Sequence, residues 1–151
     1  MDEDSFRAIY RDVNPCRCVF EKAINARRCD CRLKHRFMLA GREGVSCTNA
    51  RALTVCADYL DAIRHGSRFS LGIKRIEGPL PHSLELRVQA GGLLALQAEL
   101  FPDQATAVEV YDIYQVLDRA VIRFGAVAEF PYATLVRGVV AFEVPRRRPP
   151  R

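Results

Sequence analysis

The chain has 151 residues, 49% of them apolar, with no tryptophan and a net charge of +5 at pH 7. That suits one folded domain with a sizeable core, and no apolar run approaches the roughly 20 residues of a membrane-spanning helix. Four positive charges, Arg146, Arg147, Arg148 and Arg151, lie in the terminal Arg/Pro segment; without them the balance is 5 − 4 = +1, so a nucleic-acid reading must rest on that tail or on a local basic segment.

The N-terminus, Met1-Asp2-Glu3-Asp4-Ser5, is acidic. It lacks the basic start and apolar run of a secretory signal, and it is too acidic for a mitochondrial presequence. A cytoplasmic location is expected, where thiols are kept reduced. Residues 2–12 predict a short helix ended by Asn14-Pro15, because a residue before proline avoids the helical region. Residues 18–28 contain good helix formers and no breaker, and predict a second helix. Residues 32–40 predict a third, with Leu33, Phe37 and Ala40 on one side and Gly41 closing it.

A longer helix follows, capped by Thr48 or Asn49. Leu53, Cys56, Leu60 and Ile63 recur at helical spacing up to Gly66. Glycines and prolines mark residues 67–82 as loop or extended chain. A helix over about 83–100 is expected despite Gly91-Gly92, where close packing against another helix explains the pair. Residues 104–124 carry a broad apolar stripe that includes Val108, Tyr111, Ile113, Val116, Leu117, Ala120 and Phe124. Phe130-Pro131 opens the last helix, and Pro145 stops it. The expectation is all-α: a single-domain bundle of about six short helices over 1–144, with a cysteine-rich subregion at 16–56. Residues 145–151 form an Arg/Pro tail that cannot pack a core and is expected to be disordered.

All six cysteines, Cys16, Cys18, Cys29, Cys31, Cys47 and Cys56, fall in that subregion. In a reduced compartment such density points to metal ligation or redox work before a disulfide framework. The spacing is neither the paired Cys-x-x-Cys of zinc ribbons nor a ferredoxin run. Cysteines two apart point to nearly opposite sides of a helix, so each Cys-x-Cys pair must sit at a helix end or in a loop to share a metal. A helix over 18–28 would hold Cys18 and Cys29 roughly 16 Å apart. Two thiol groups are then expected: Cys16, Cys18 and Cys47; and Cys29, Cys31 and Cys56. His35, one helical turn after Cys31, would complete a Cys₃His zinc set with the second group. If helix 18–28 does not form, four cysteines can converge on an iron–sulfur cluster instead.

These residues support a cysteine-ligated metal protein, with an iron–sulfur cluster favoured over zinc because Cys-x-Cys fits zinc modules poorly. Electron transfer, sensing or service as an accessory factor to a partner protein would follow. One alternative is a nucleic-acid or protein interaction module with structural zinc, its binding carried by Arg27, Arg28, Arg32 and Lys34. Another is a thiol redox protein. No Ser/His/Asp order, paired-carboxylate motif, phosphate loop or dinucleotide fingerprint is present, so a self-contained enzyme is not expected.

Overall fold

The structure is a computed structural model that describes residues 2–74 and 80–143. The Arg/Pro tail at 145–151, the stop at Pro145 and the turn residues Gly78 and Pro79 lie outside the described residues. Helix α1 (Glu3–Val13) forms as expected. The Asp2 side chain accepts from the Ser5 amide at 2.7 Å, and the Asn14 N–H closes the helix on the Tyr10 carbonyl.

The all-helical expectation fails in the next third. The segment 18–28 contributes only the short α2 (Glu21–Asn25). Residues 32–40 form no helix; strands β1 (Lys34–Leu39) and β2 (Arg42–Cys47) pair as an antiparallel hairpin. The molecule is therefore mostly helical with a two-stranded sheet. Its turn explains the misreading. Ala40 and Gly41 both take positive φ, 50° and 77°, and Leu39 faces Arg42. That is a two-residue turn of the hairpin-forming kind. Gly41, expected as a helix C-cap, supplies the second left-handed residue. The Phe37 ring then lies over Gly44, where a Cβ on Gly44 would collide with it.

Backbone pairing also consumes the ends of the expected helix 18–28. The Cys18 amide donates to the Val45 carbonyl at 3.0 Å and the Cys47 amide to the Cys16 carbonyl at 2.8 Å. Residues 16–18 thus line the free edge of β2, with Arg17 bridged to Ser46. At the other end the chain reverses through Arg27, at φ 60°. Cys29 then bridges Val110, with Asp30 N–H to Val110 O and Val110 N–H to Arg28 O both at 2.9 Å.

Helix α3 (Ala50–Ser67) follows, and Asn49 caps it by accepting from the Ala52 amide at 3.0 Å. Residues 82–100 form one helical rod: α4 (His82–Leu86), a π turn at Arg87–Gly91, and α5 (Gly92–Leu100). Gly91 lets α7 (Tyr132–Ala141) come close, since a Cβ there would lie 2.9 Å from the Phe142 Cβ and 3.0 Å from the Val139 Cα. The expected helix over 104–124 is shortened to α6 (Ile113–Phe124). Its forward part is spent on pairing with Cys29, leaving Val108 and Tyr111, placed on the apolar stripe by spacing alone, mostly exposed. α5 packs on α6 and α7, and α3 on α7. The core joins Tyr59, Ile63, Leu93, Leu96, Leu117, Leu135 and Val139 to Phe20, Ile24 and Val45 of the cysteine-rich third. A fully buried side chain of this size contributes about 2 kcal/mol through its lost water contact.

Candidate metal centre

Cys18 ends the extended segment beside β2, Cys31 follows the strand-like stretch 28–30, Cys47 is the last residue of β2, and Cys56 lies near the start of α3. These four thiols, from four stretches of chain, converge. Every pair among them is close enough for a charge on one sulfur to oppose ionisation of the other. The two separate groups of three are not formed, because the helix that would hold Cys18 away from Cys31 and Cys56 is absent. An extended Cys-x-Cys segment puts both thiols on one face; that face turns inward at Cys18, opposite the fully buried Val45, and reaches solvent at Cys16.

The remaining candidates fall outside this set of four. Cys29 is buried in the hydrophobic core beside Cys18, while Cys16 is exposed. His35 sits in β1, exposed, its ring stacked on Phe37 at 6.4 Å between centroids. With 32–40 a strand, His35 is not a helical turn above Cys31. Among the described residues no three His, Cys, Asp or Glu side chains lie close enough to hold one metal ion. The four thiols thus influence one another electrostatically without forming a single-ion site among the described residues.

Backbone amides already point at these sulfurs. The Phe20 amide lies on the side of Cys18 that favours its thiolate form. The Leu33 and Tyr114 amides favour the thiolate form of Cys31 in the same way. Tyr114 lies in the first turn of α6, whose amides have no partners within the helix. Asp112, just before α6, accepts from the Arg32 amide at 3.1 Å and the Arg32 Nε at 2.5 Å. That contact ties the Cys31 loop to the helix start. The Cys47 thiol donates to the Asn49 carbonyl at 3.2 Å, beside the start of α3.

Glu21 braces the other side. Its Oε2 accepts from the Val45 amide at 2.7 Å and from the Tyr10 hydroxyl. Its Oε1 accepts from Arg17 at 2.9 Å. Asn14 Nδ2 donates to the Val45 carbonyl at 3.1 Å and to Tyr10 at 2.8 Å. Val45 is thus clamped at both polar atoms, which fixes β2 against the segment carrying Cys18. Reasoning from sequence missed Glu21, Asp112 and Tyr114. Asp112 ahead of an apolar helical run was a readable N-terminal signal, whereas nothing in the sequence marks Glu21.

No family model, curated protein or solved structure matches this chain.

Burial pushes the Cys18 and Cys29 thiols up to about 12 from an ordinary 9.0. It also raises Cys31 and Cys56, and neighbouring sulfurs add to the effect. The metal-free fold therefore favours neutral thiols. A folded pKa above the unfolded one gives stability that is complete below pH 9 and lost as pH rises through about 12. For Cys29 alone the full displacement corresponds to about 4 kcal/mol. Thermal unfolding of the metal-free protein should show a steep fall in melting temperature between pH 9 and 12. A melting temperature that holds across that range would contradict the burial of these thiols.

The basic segment has a different character from that expected of a phosphate-binding stripe. Arg27 pairs with Glu43 at 2.9 Å, Arg32 with Asp112 at 2.5 Å, and Lys34 with Asp30. Arg28 lies 5.8 Å from the centroid of the Phe142 ring. Three of the four cations thus have acidic partners within the chain.

Proposed function

We propose that Cys18, Cys31, Cys47 and Cys56 ligate an iron–sulfur cluster, and that the protein serves in electron transfer, sensing or as an accessory factor to a partner protein. The observation that carries this reading is that four thiols from four stretches of chain each oppose the ionisation of the others. A four-thiolate set is the usual ligation of such clusters. Amides near the sulfurs are among the features that tune a cluster's potential, and those of Phe20, Leu33 and Tyr114 favour the thiolate forms of Cys18 and Cys31. A bound cluster would supply a one-electron redox couple. The chain's part is to hold four thiolates against their preference for protons, using those amides and the surrounding packing. Because the free thiols are held protonated, loading must release protons, and affinity should weaken in acid.

Full-length protein purified anaerobically, then assayed for iron, acid-labile sulfide, zinc and visible absorbance, tests this directly. Iron and sulfide in stoichiometric amounts, with absorbance that bleaches on reduction, is the expected result. Stoichiometric zinc without iron would favour a structural zinc in an interaction module. Neither metal, after reconstitution has been attempted, would reject a metal centre.

A further inference from the structure

Cys16 remains outside the four-thiol set, but its position is not arbitrary. The segment 16–18 runs antiparallel to the end of β2, with Arg17 opposite Ser46. The Cys47 amide donates to the Cys16 carbonyl at 2.8 Å. This register sets Cys16 directly across from Cys47. Directly opposed residues in an antiparallel pair share a face, and in a hydrogen-bonded pair their Cα atoms lie about 5.5 Å apart. That is within the roughly 4.4–6.8 Å that a disulfide spans. Cys18 cannot serve Cys16 in the same way, because two residues along an extended strand rise about 6.6 Å and their side chains run parallel. Cys16 is exposed, whereas the four convergent thiols are partly buried. A small oxidant in solvent meets Cys16 first.

We infer that Cys16 and Cys47 form a peroxide-responsive disulfide whose closure withdraws Cys47 from the metal centre. The inference rests on the proposed ligation only for that last consequence; the disulfide depends on the strand register alone. The co-reactant is a hydroperoxide. The Cys16 thiolate attacks one peroxide oxygen, the O–O bond breaks, and an alcohol (or water, from hydrogen peroxide) leaves with a proton. Cys16 is then a sulfenic acid. The Cys47 sulfur attacks the Cys16 sulfur, the S–O bond breaks, and hydroxide leaves as water with the Cys47 proton. Two thiols lose two electrons in all, and one peroxide gains them.

Hydrogen peroxide added to the full-length protein, followed by thiol blocking and mass spectrometry of non-reduced peptides, tests the pairing. The expected linkage is Cys16–Cys47, about tenfold above any other pair. In Cys16→Ser this linkage is gone and Cys47 stays reduced at the same peroxide dose. In metal-loaded wild type, loss of the centre tracks disulfide formation and is several-fold slower in Cys16→Ser. Cys16 left unpaired in the wild type, or Cys47 linked mainly to Cys18, Cys31 or Cys56, overturns the inference. Equal rates of centre loss in wild type and Cys16→Ser overturn the coupling to the centre. Metal content of the untreated protein tests the ligation separately, so the two failures are distinguishable.

Discussion

Serine at any one of Cys18, Cys31, Cys47 or Cys56 should abolish the visible absorbance of anaerobically prepared protein, while serine at Cys16 should leave it intact. Metal binding of this kind is also folding energy, because the site does not exist in the unfolded chain. Loss of one ligand should therefore lower the melting temperature of the loaded protein sharply, and the four variants should resemble one another. Cys29 is the informative control. It lies in the core beside Cys18, near enough to be mistaken for a ligand. Cys29→Ser should keep the absorbance and cost about 1–3 kcal/mol, the penalty for burying a hydroxyl without a partner. Iron counts and absorbance across the six serine variants sort ligands from neighbours. Absorbance that survives in Cys31→Ser and vanishes in Cys29→Ser would redraw the site.

Glu21→Ala should be the most damaging change outside the cysteines, at about 3 kcal/mol. It strips the Val45 amide and the Tyr10 hydroxyl of their acceptor in a buried place and leaves Arg17 without its carboxylate. The loss also reaches the centre. Val45 is the residue across from Cys18, and its strand ends in Cys47. Slackening there should raise the rate at which a loaded centre releases iron to a chelator. Glu21→Gln keeps an acceptor for the Val45 amide, and should recover part of both effects. Urea unfolding and chelator kinetics on the two variants measure this. Equal stability of Glu21→Ala and wild type would show that the clamp contributes nothing.

The helices with strong apolar periodicity and clear ends were legible from sequence. α1, α3, the rod over 82–100 and α7 depend on local signals: an acidic first turn, Asn49, the stripe of Leu60 and Ile63, and Pro131 before Tyr132. The hairpin was not legible, because Phe37 and Leu33 fit a helical face as well as a strand, and Gly41 ends either element. Segment 18–28 has helical propensity, yet its ends make sheet-like hydrogen bonds with Val45 and Val110, partners that no local window contains. The same holds for 105–112, where an apolar stripe continues in sequence but Val110 is drawn to Cys29. The dense thiol patch was legible. How it divides was not, since that depended on the one helix that long-range pairing cut short. His35 was placed by the same assumption and moved with it.

The hairpin has one more consequence, for how molecules of this protein meet each other. Among the described residues β2 is flanked on both sides, by β1 and by residues 16–18, and β1 has no strand on its other edge. An unpaired strand edge invites the same strand of another molecule, and proteins discourage this with charge. Lys34 and Arg36 stand along β1, with Arg42 opposite Leu39 beyond the turn, and their acidic partners are Asp30, Glu43 and Glu3. Two copies approaching edge to edge would bring these cations together. The basic residues of the hairpin thus oppose the edge-to-edge approach of two copies.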